Sequence, residues 1–436
     1  MNWDTIGREA VQLLSHYIQI DTINPPGNEH RASVFIGRVL KREGIPYSLF
    51  ESAPGRSNLY ARLRGDGSKR PIILLSHSDV VPVDREFWSV DPLSGLIKDG
   101  YIWGRGALDM KNVGIIELVV FLALHRSKFP LTRDVILLVT ADEEAGGAMG
   151  AGWFVRHHPD LIRDAEFLVN ESGKGKIEHD ALVYSVDITE KTPCWLRLRA
   201  AGEPGHGSRP KPNSAVNRLV RALNRLLDYT PPVKVSPPVD LYFKGLAPLQ
   251  KGERRTKFAD IATAVHDQAF LADLNHSSQH AAVLRNTVSI TMLRGSPKIN
   301  IIPQTATAEL DCRLLPGESP DRFMADLRRV IDDDGIEIEP VLTFTNTASP
   351  FDTDFVNAVR DVVSQYHRRT HVIPNVLAGF TDCHFFRDLG IHCYGFSPFI
   401  IPDEDLRGIH GNDERISVEN MQRGPKMLFE VIERLQ

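Results

Sequence analysis

Several residues able to hold metal ions or move protons directly follow short apolar runs. Ser76-His77-Ser78-Asp79 comes immediately after Ile72-Ile73-Leu74-Leu75. His77 and Asp79 are two residues apart, so in an extended segment both side chains point the same way. A carboxylate that orients the second nitrogen of a ligating histidine is a common arrangement, although a lone H-x-D is equally well explained as a turn. Gly104-Arg105-Gly106-Ala107-Leu108-Asp109-Met110-Lys111 leads into an apolar helical stretch. Asp109 there suits an N-cap as well as a ligand. A phosphate loop is a poor reading, because G-x-G-x-x-G is not completed and no P-loop lysine follows. Ala141-Asp142-Glu143-Glu144 follows another apolar run. Adjacent acids repel unless a cation compensates them, and one can ligate while its neighbour serves as general base. Asn170-Glu171-Ser172-Gly173 and Ile409-His410-Gly411-Asn412-Asp413-Glu414 add a further acid and a second histidine.

Each motif alone is as well explained by a solvated loop; jointly they point to metal. Two histidines with several carboxylates and no cysteine suit paired Zn²⁺, with Co²⁺ or Mn²⁺ also fitting. The four cysteines, Cys194, Cys312, Cys383 and Cys393, are scattered without a C-x-x-C pair, which argues against a thiolate zinc site or a disulfide framework. Two further groups stand apart in sequence. Gly205-His206-Gly207-Ser208-Arg209-Pro210 puts a histidine in a Gly/Pro-rich loop, and Asn300-Ile301-Ile302-Pro303 and Asp311-Cys312-Arg313 flank a strand pattern. Arg313 suits pairing with a carboxylate substrate as well as a surface ion pair.

The elements that must position these groups alternate between strand and helix. Apolar runs at 72–75, 135–139 and 167–169 read as buried strands, and 111–126 as a buried helix. That order argues for a three-layer α/β domain with sites beyond the carboxyl ends of its strands. The pattern changes near Pro193. Strands at 195–200, 288–293, 305–314 and 336–344, with one helix capped by Asn213 or Ser214 and another over 322–331, read as a separate antiparallel α+β module. It encloses a proline-rich polar stretch, 231–278, expected to be irregular. The α/β pattern resumes at Ser349, and the last helix, 417–435, should be kinked or split at Gly424-Pro425. The expected organisation is a catalytic domain in two parts, 1–193 and 347–436, interrupted by an inserted domain at 194–346.

Composition removes other classes. The chain has 436 residues, with 51 lysine plus arginine, 56 aspartate plus glutamate and a formal charge of −5. A domain of about 150 residues allows two or three domains. No basic excess supports nucleic-acid or anionic-membrane binding. The most apolar stretch, 113–124, is too short to span a bilayer, and a cytoplasmic location is the expectation.

The assembled motifs SHSDVVP, GRGALDMK, ADEEAGG, NESG, GHGSRP, NIIP with DCR, and IHGNDE resemble the di-zinc metallopeptidase family of aminoacylases, acetylornithine deacetylases, succinyl-diaminopimelate desuccinylases and carboxypeptidase G. The resemblance covers nearly the whole chain. It implies a di-zinc catalytic domain with an inserted ferredoxin-like lid or dimerisation domain. His77 and Glu171 would hold one zinc, Glu144 and His410 the other, and Asp109 would bridge them. Glu143 would be the general base and Asp79 the partner of His77. The family often has a cis peptide after the bridging aspartate, here Asp109–Met110. His206 would stabilise the oxyanion from the lid, and Asn300 and Arg313 would contact substrate. Gly379 and Thr381, in AGFTD, resemble a substrate loop, though Cys383 and His384 depart from the commoner version. Glu171, where aminopeptidase members carry aspartate, places the chain with the deacylase and carboxypeptidase members.

The expected activity is metal-assisted hydrolysis of the amide bond of a small N-acyl amino acid or peptide with a free carboxylate. Glu143 would take a proton from the attacking water and pass it to the leaving nitrogen. The competing readings are an aminopeptidase or dipeptidase of the same family, and a catalytically silent metal-stabilised binding protein. The lid suggests a homodimer, while the 231–278 insertion would obstruct that edge.

Overall fold

A computed structural model describes residues 1–178 and 180–436. The chain divides into two compact units, one of Met1–Ile188, Ser349–Asn375 and Thr381–Gln436, the other of Thr189–Ala348 and Val376–Phe380. The expected boundary after residue 193 falls inside a strand, Thr192–Ala201, so the chain changes units a few residues earlier.

The first unit is built on a nine-stranded sheet. Its order is Tyr47–Ala53, Arg56–Leu63, Val135–Thr140, Ile72–His77, Phe167–Asn170, His392–Gly395, Ala181–Glu190 and Thr370–Leu377, with Gly175–Glu178 paired to Ala181–Glu190. Ile72–His77 runs parallel to both Val135–Thr140 and Phe167–Asn170. All three strands are buried throughout, as their unbroken apolar character requires when both faces are covered. Alternation divides the side chains between two cores. Ile72 and Leu74 join one with the helices Trp3–Ile18, Lys111–Arg126, Asp354–Val363 and Val418–Leu435. Ile73 and Leu75 join the other with Ala151–His157 and Cys383–Arg387. Helices thus cover both faces of the sheet.

Lys111–Arg126 is buried from Lys111 to Leu124, so it shows almost no polar face. Lys111 is itself buried, and its Nζ donates to Tyr17 O at 3.2 Å and Ile20 O at 2.7 Å, satisfying carbonyls at the end of the first helix. The last helix, Val418–Leu435, runs unbroken past Pro425, against the expected split. Gly424 and Pro425 are both buried, and a Cβ at Gly424 would lie 3.1 Å from Ile116 and Phe399. Tertiary packing over that turn outweighs the hydrogen bond the proline cannot donate.

The second unit carries a four-stranded antiparallel sheet in the order Thr287–Arg294, Thr305–Leu314, Thr192–Ala201 and Ile336–Thr343. Helices Ala215–Asp228 and Pro320–Ile331 pack on it around Leu196, Leu198, Leu219, Leu310 and Leu327. In chain order this is β-α-β-β-α-β, a ferredoxin-like arrangement. Ser214 caps the first helix by accepting from Asn217 N.

The stretch expected to be irregular is helical. Pro237–Leu246, Gly252–Ala259, Ile261–Ala264, Gln268–Leu274 and Ser278–Val283 surround a core of their own that includes Val239, Phe243, Phe258, Ile261 and Leu274. Pro237 and Pro238 open the first helix at positions where the missing N–H has no intrahelical partner anyway. Among the described residues no helix is long and apolar enough to cross a membrane.

Candidate metal centre

Three adjacent parallel strands end at one edge of the first unit and deliver acids and a histidine there. His77 is the last residue of its strand. Glu143 and Glu144 lie in a single 3-10 turn, Glu143–Ala145, just past Val135–Thr140, and Glu171 directly follows Phe167–Asn170. The acidic turn is tight. Asp142 is left-handed at φ 69°, and a Cβ at Gly150 would meet Ala141 O at 1.6 Å. Only glycine lets the chain fold back so closely. Asp109 precedes Lys111–Arg126 and is joined to Met110 by a cis peptide.

Asp109 stands between the two histidines. Its Oδ1 lies 3.3 Å from His77 Nε2 and its Oδ2 lies 3.2 Å from His410 Nε2. Glu171 Oε1 is 3.6 Å and Glu143 Oε2 is 3.9 Å from His77 Nε2, and Glu144 Oε2 is 3.2 Å from His410 Nε2. Ligand atoms of His77, Glu143 and Glu171 lie within 4.8 Å of one another, as do those of His77, Asp109 and Glu144.

The donor set fits a cation. His77 Nδ1 faces only acceptors, the Asp79 carbonyl at 3.0 Å and Asp79 Oδ1 at 3.4 Å. Nδ1 must therefore carry the hydrogen, which leaves a lone pair on Nε2. That atom is buried and makes no hydrogen bond, and Glu144 Oε1 is likewise buried without a partner. A lone pair aimed among carboxylate oxygens repels them unless a proton or metal ion lies between.

The charge balance says the same. Burial first, then Glu171 and Glu144, holds the Glu143 carboxyl well above the usual range against the attraction of His77. Burial and Asp109 raise both Glu171 and Glu144. Hydrogen bonding to Asp109 and Glu144 pushes His410 up to about 10. Asp109 is lowered despite its burial, because both histidines face it. Three buried acids pushed toward their neutral forms, beside a histidine pushed toward its charged form, are expected of a site that binds cations.

A second layer fixes these groups. The Asp79 carboxylate accepts the backbone N–H of Glu143 at 3.1 Å and of Glu144 at 3.2 Å, and Asn24 Nδ2 at 2.9 Å. Asp142, one of the adjacent acids, is bound to other partners. It accepts Arg56 Nη2 at 2.7 Å and Met149 N at 2.9 Å, and Arg56 also pairs with the buried Glu29. Asp382 accepts Thr140 Oγ1 at 3.0 Å and is pushed up to about 8, chiefly by burial. No sequence motif assigns a role to Asn24, Glu29, Arg56 or Asp382. Only Asp382 carried a signal, its place beside Thr381 in AGFTD.

The other expected substrate contacts lie in different surroundings. In the second unit, Gly205–His206 pairs with Ile301–Ile302, and Gly207 N donates to Asn300 O at 2.9 Å, so His206 and Asn300 are neighbours. His206 is exposed, and its Nδ1 accepts Ser208 N at 3.1 Å. Arg313 is bound to Asp311 through Nε at 2.6 Å and lies 5.0 Å from the Phe380 ring and 5.6 Å from the Trp195 ring. Its Nη1 is buried without a partner. Gly379 belongs to the second unit and Thr381 to the first, where Thr381 is buried and accepts Cys383 N at 3.2 Å.

The sequence is 28% identical to the N-fatty-acyl-amino acid synthase/hydrolase PM20D1 of Mus musculus over 394 residues, covering 86% of this chain and 76% of that protein. It is 27% identical to aminoacylase-1 of Sus scrofa over 446 residues, covering 98% of this chain and 97% of that one. The fold resembles the M20 family metallo-carboxypeptidase Sso-CP2 from Sulfolobus solfataricus, with a TM-score of 0.73, 19% identity and 98% of each chain covered. It also resembles human carnosine dipeptidase 1, with a TM-score of 0.74, 16% identity and 99% and 97% of the two chains covered. The sequence matches the pattern of Peptidase family M20/M25/M40 over residues 73–434, and the chain belongs to that family.

Proposed function

We propose that this protein is a zinc-dependent hydrolase of the amide bond in small N-acyl amino acids or peptides that carry a free carboxylate. The observation that carries the reading is Asp109, which presents one oxygen to His77 and the other to His410. In this reading His77 and Glu171 would hold one ion, Glu144 and His410 the other, and Asp109 would contribute to both. Bound there, two divalent cations would polarise the scissile carbonyl and lower the pKa of the attacking water.

The chain's own residues supply the rest. Glu143 lies among these acids but stands 3.9 Å from His77 Nε2, farther than either Asp109 or Glu171, which suits a base rather than a ligand. Its carboxylate takes the proton of the attacking water and returns it to the leaving nitrogen. Asp79 keeps the hydrogen of His77 on Nδ1 and so directs the Nε2 lone pair into the site. His206 is assigned the oxyanion, and Arg313, with its unpartnered buried Nη1, the substrate carboxylate. The deacylase branch is favoured by Glu171 and by relatives named N-fatty-acyl-amino acid synthase/hydrolase and aminoacylase-1.

The same reading takes a cytoplasmic location and a homodimer through the second unit. Exposed Val220, Leu227, Met292 and Leu293 support the dimer, the last two on the edge strand Thr287–Arg294. The experiment is a zinc-supplemented hydrolysis screen of N-acyl amino acids beside blocked and free-amine dipeptides, with Glu143→Ala as control. Wild type should cleave the blocked substrates, and Glu143→Ala should bind zinc normally but lose about 100- to 10,000-fold in kcat. Wild-type turnover by the zinc-loaded variant would remove Glu143 from the mechanism. Turnover of free-amine dipeptides alone would favour the aminopeptidase reading.

A further inference from the structure

The loop carrying the shared aspartate is held by a carboxylate from far along the chain. Glu414 is fully buried. Its Oε1 accepts the backbone N–H of Leu108 at 2.6 Å and of Asp109 at 3.1 Å. Its Oε2 accepts Arg105 Nη1 at 2.6 Å and the N–H of Gly106 at 3.1 Å. Arg105 is itself buried, lies 5.3 Å from the Trp88 ring centroid, and donates from Nη2 to Gly411 O at 2.8 Å. Gly104 N closes the contact by donating to Glu414 O at 2.9 Å.

Backbone amides converging on an anion form a nest. Here the anion is a side chain four residues past His410, so one carboxylate joins the turn bearing His410 to the loop bearing Asp109. Those two ligands lie 3.2 Å apart across that junction.

We propose that Glu414 is a positioning residue for the metal pair, fixing the Asp109 backbone against the His410 turn so that Asp109 can face both histidines at once. This rests on the metal reading of the site. A buried ion pair is a costly way to gain stability alone, whereas a carboxylate that accepts several fixed N–H groups sets a backbone position closely. An ordinary structural role would lower stability yet leave the metal affinity of the folded protein unchanged.

The two roles separate by zinc titration of the metal-free full-length protein against a competing chelator, with folding followed by circular dichroism. Wild type should bind two zinc ions per chain. Glu414→Gln keeps the side-chain volume but points an N–H₂ at donors. In its folded form it should bind zinc about 10- to 100-fold more weakly, the usual effect of losing a partner that orients ligands. It should also need more zinc for half-maximal activity while KM for substrate stays unchanged. Arg105→Lys keeps the charge beside Glu414 and loses the bond to Gly411, so it should show a smaller loss in the same direction. If Glu414→Gln does not fold, Arg105→Lys carries the test. Wild-type zinc affinity in folded Glu414→Gln, or in Arg105→Lys where that variant fails to fold, overturns the positioning role alone. A wild-type chain that binds no pair of ions overturns the metal reading together with it.

Discussion

Asp79 Oδ1 accepts the backbone N–H of Glu143 at 3.1 Å, so the carboxylate that faces His77 also anchors the turn bearing the proposed base. Its other oxygen takes the N–H of Glu144. One acid thereby sets the position of a proposed ligand on each side and of the base between them. Asp79→Asn keeps the shape but replaces one acceptor with a donor, which then opposes a backbone N–H or His77 Nδ1. Zinc affinity should fall by about 10- to 100-fold, and kcat should fall even at saturating zinc because the Glu143 turn shifts. Chelator competition and steady-state kinetics check both, and a variant altered only in thermal stability would contradict the coupling.

Metal uptake should release protons. His410 is held up to about 10 by Asp109 and Glu144, and Glu143 and Glu171 are raised chiefly by burial. At neutral pH His410 carries a proton that a cation replaces, and the upward shift of Glu171 acts in the same direction, so zinc affinity should increase with pH. The stability that His410 contributes to the metal-free fold is complete below its ordinary value of about 6.5. It is lost as pH rises through about 10. Calorimetric titration with zinc near pH 7, in buffers of different ionisation enthalpy, should give a buffer-dependent apparent enthalpy. A buffer-independent enthalpy would show that the site holds no displaceable protons.

The helical insertion should fail separately from the metal centre. Phe243 is fully buried and meets the Phe258 ring edge-on at 5.3 Å. Phe243→Ala should cost about 3–5 kcal/mol, concentrated in the core it shares with Val239, Ile261 and Leu274. Limited proteolysis should then cut within residues 231–284 first. Zinc stoichiometry should be unchanged, since the first unit has cores of its own. Loss of zinc along with the insertion would contradict that independence.

The candidate site was legible as a cluster because each proposed ligand in the sheet follows an unbroken apolar run, and parallel strands bring such positions to one edge. His77, Glu144 and Glu171 share that grammar. Glu414 stands in the IHGNDE motif and Asn24 in none, but neither has a role legible there, because their partners lie hundreds or tens of residues away. The helices between Pro237 and Val283 are short, at four to ten residues each. So few turns leave little apolar periodicity, and the prolines read as breakers although two of them begin a helix. The continuous last helix shows the same limit, since packing around Pro425 is not visible in local sequence.

Lys191 gives the second unit a pH dependence of opposite sense to that of His410. It is fully buried, and its Nζ donates to Ala282 O and Arg285 O at 2.9 Å each and to Thr287 Oγ1 at 3.1 Å. All three acceptors are neutral, so burial dominates and pushes the ammonium down to about 7. Between about 7 and its ordinary value near 10.4, the unfolded chain holds a proton that the folded chain has released. Stability therefore rises with pH across that window, and the cost of the buried charge is complete only below it. Lys191→Met removes the titration. The stability difference, wild type minus variant, should grow in favour of wild type from pH 7 to pH 10 in denaturant titrations. Parallel curves would mean that the three acceptors keep the ammonium charged in the fold.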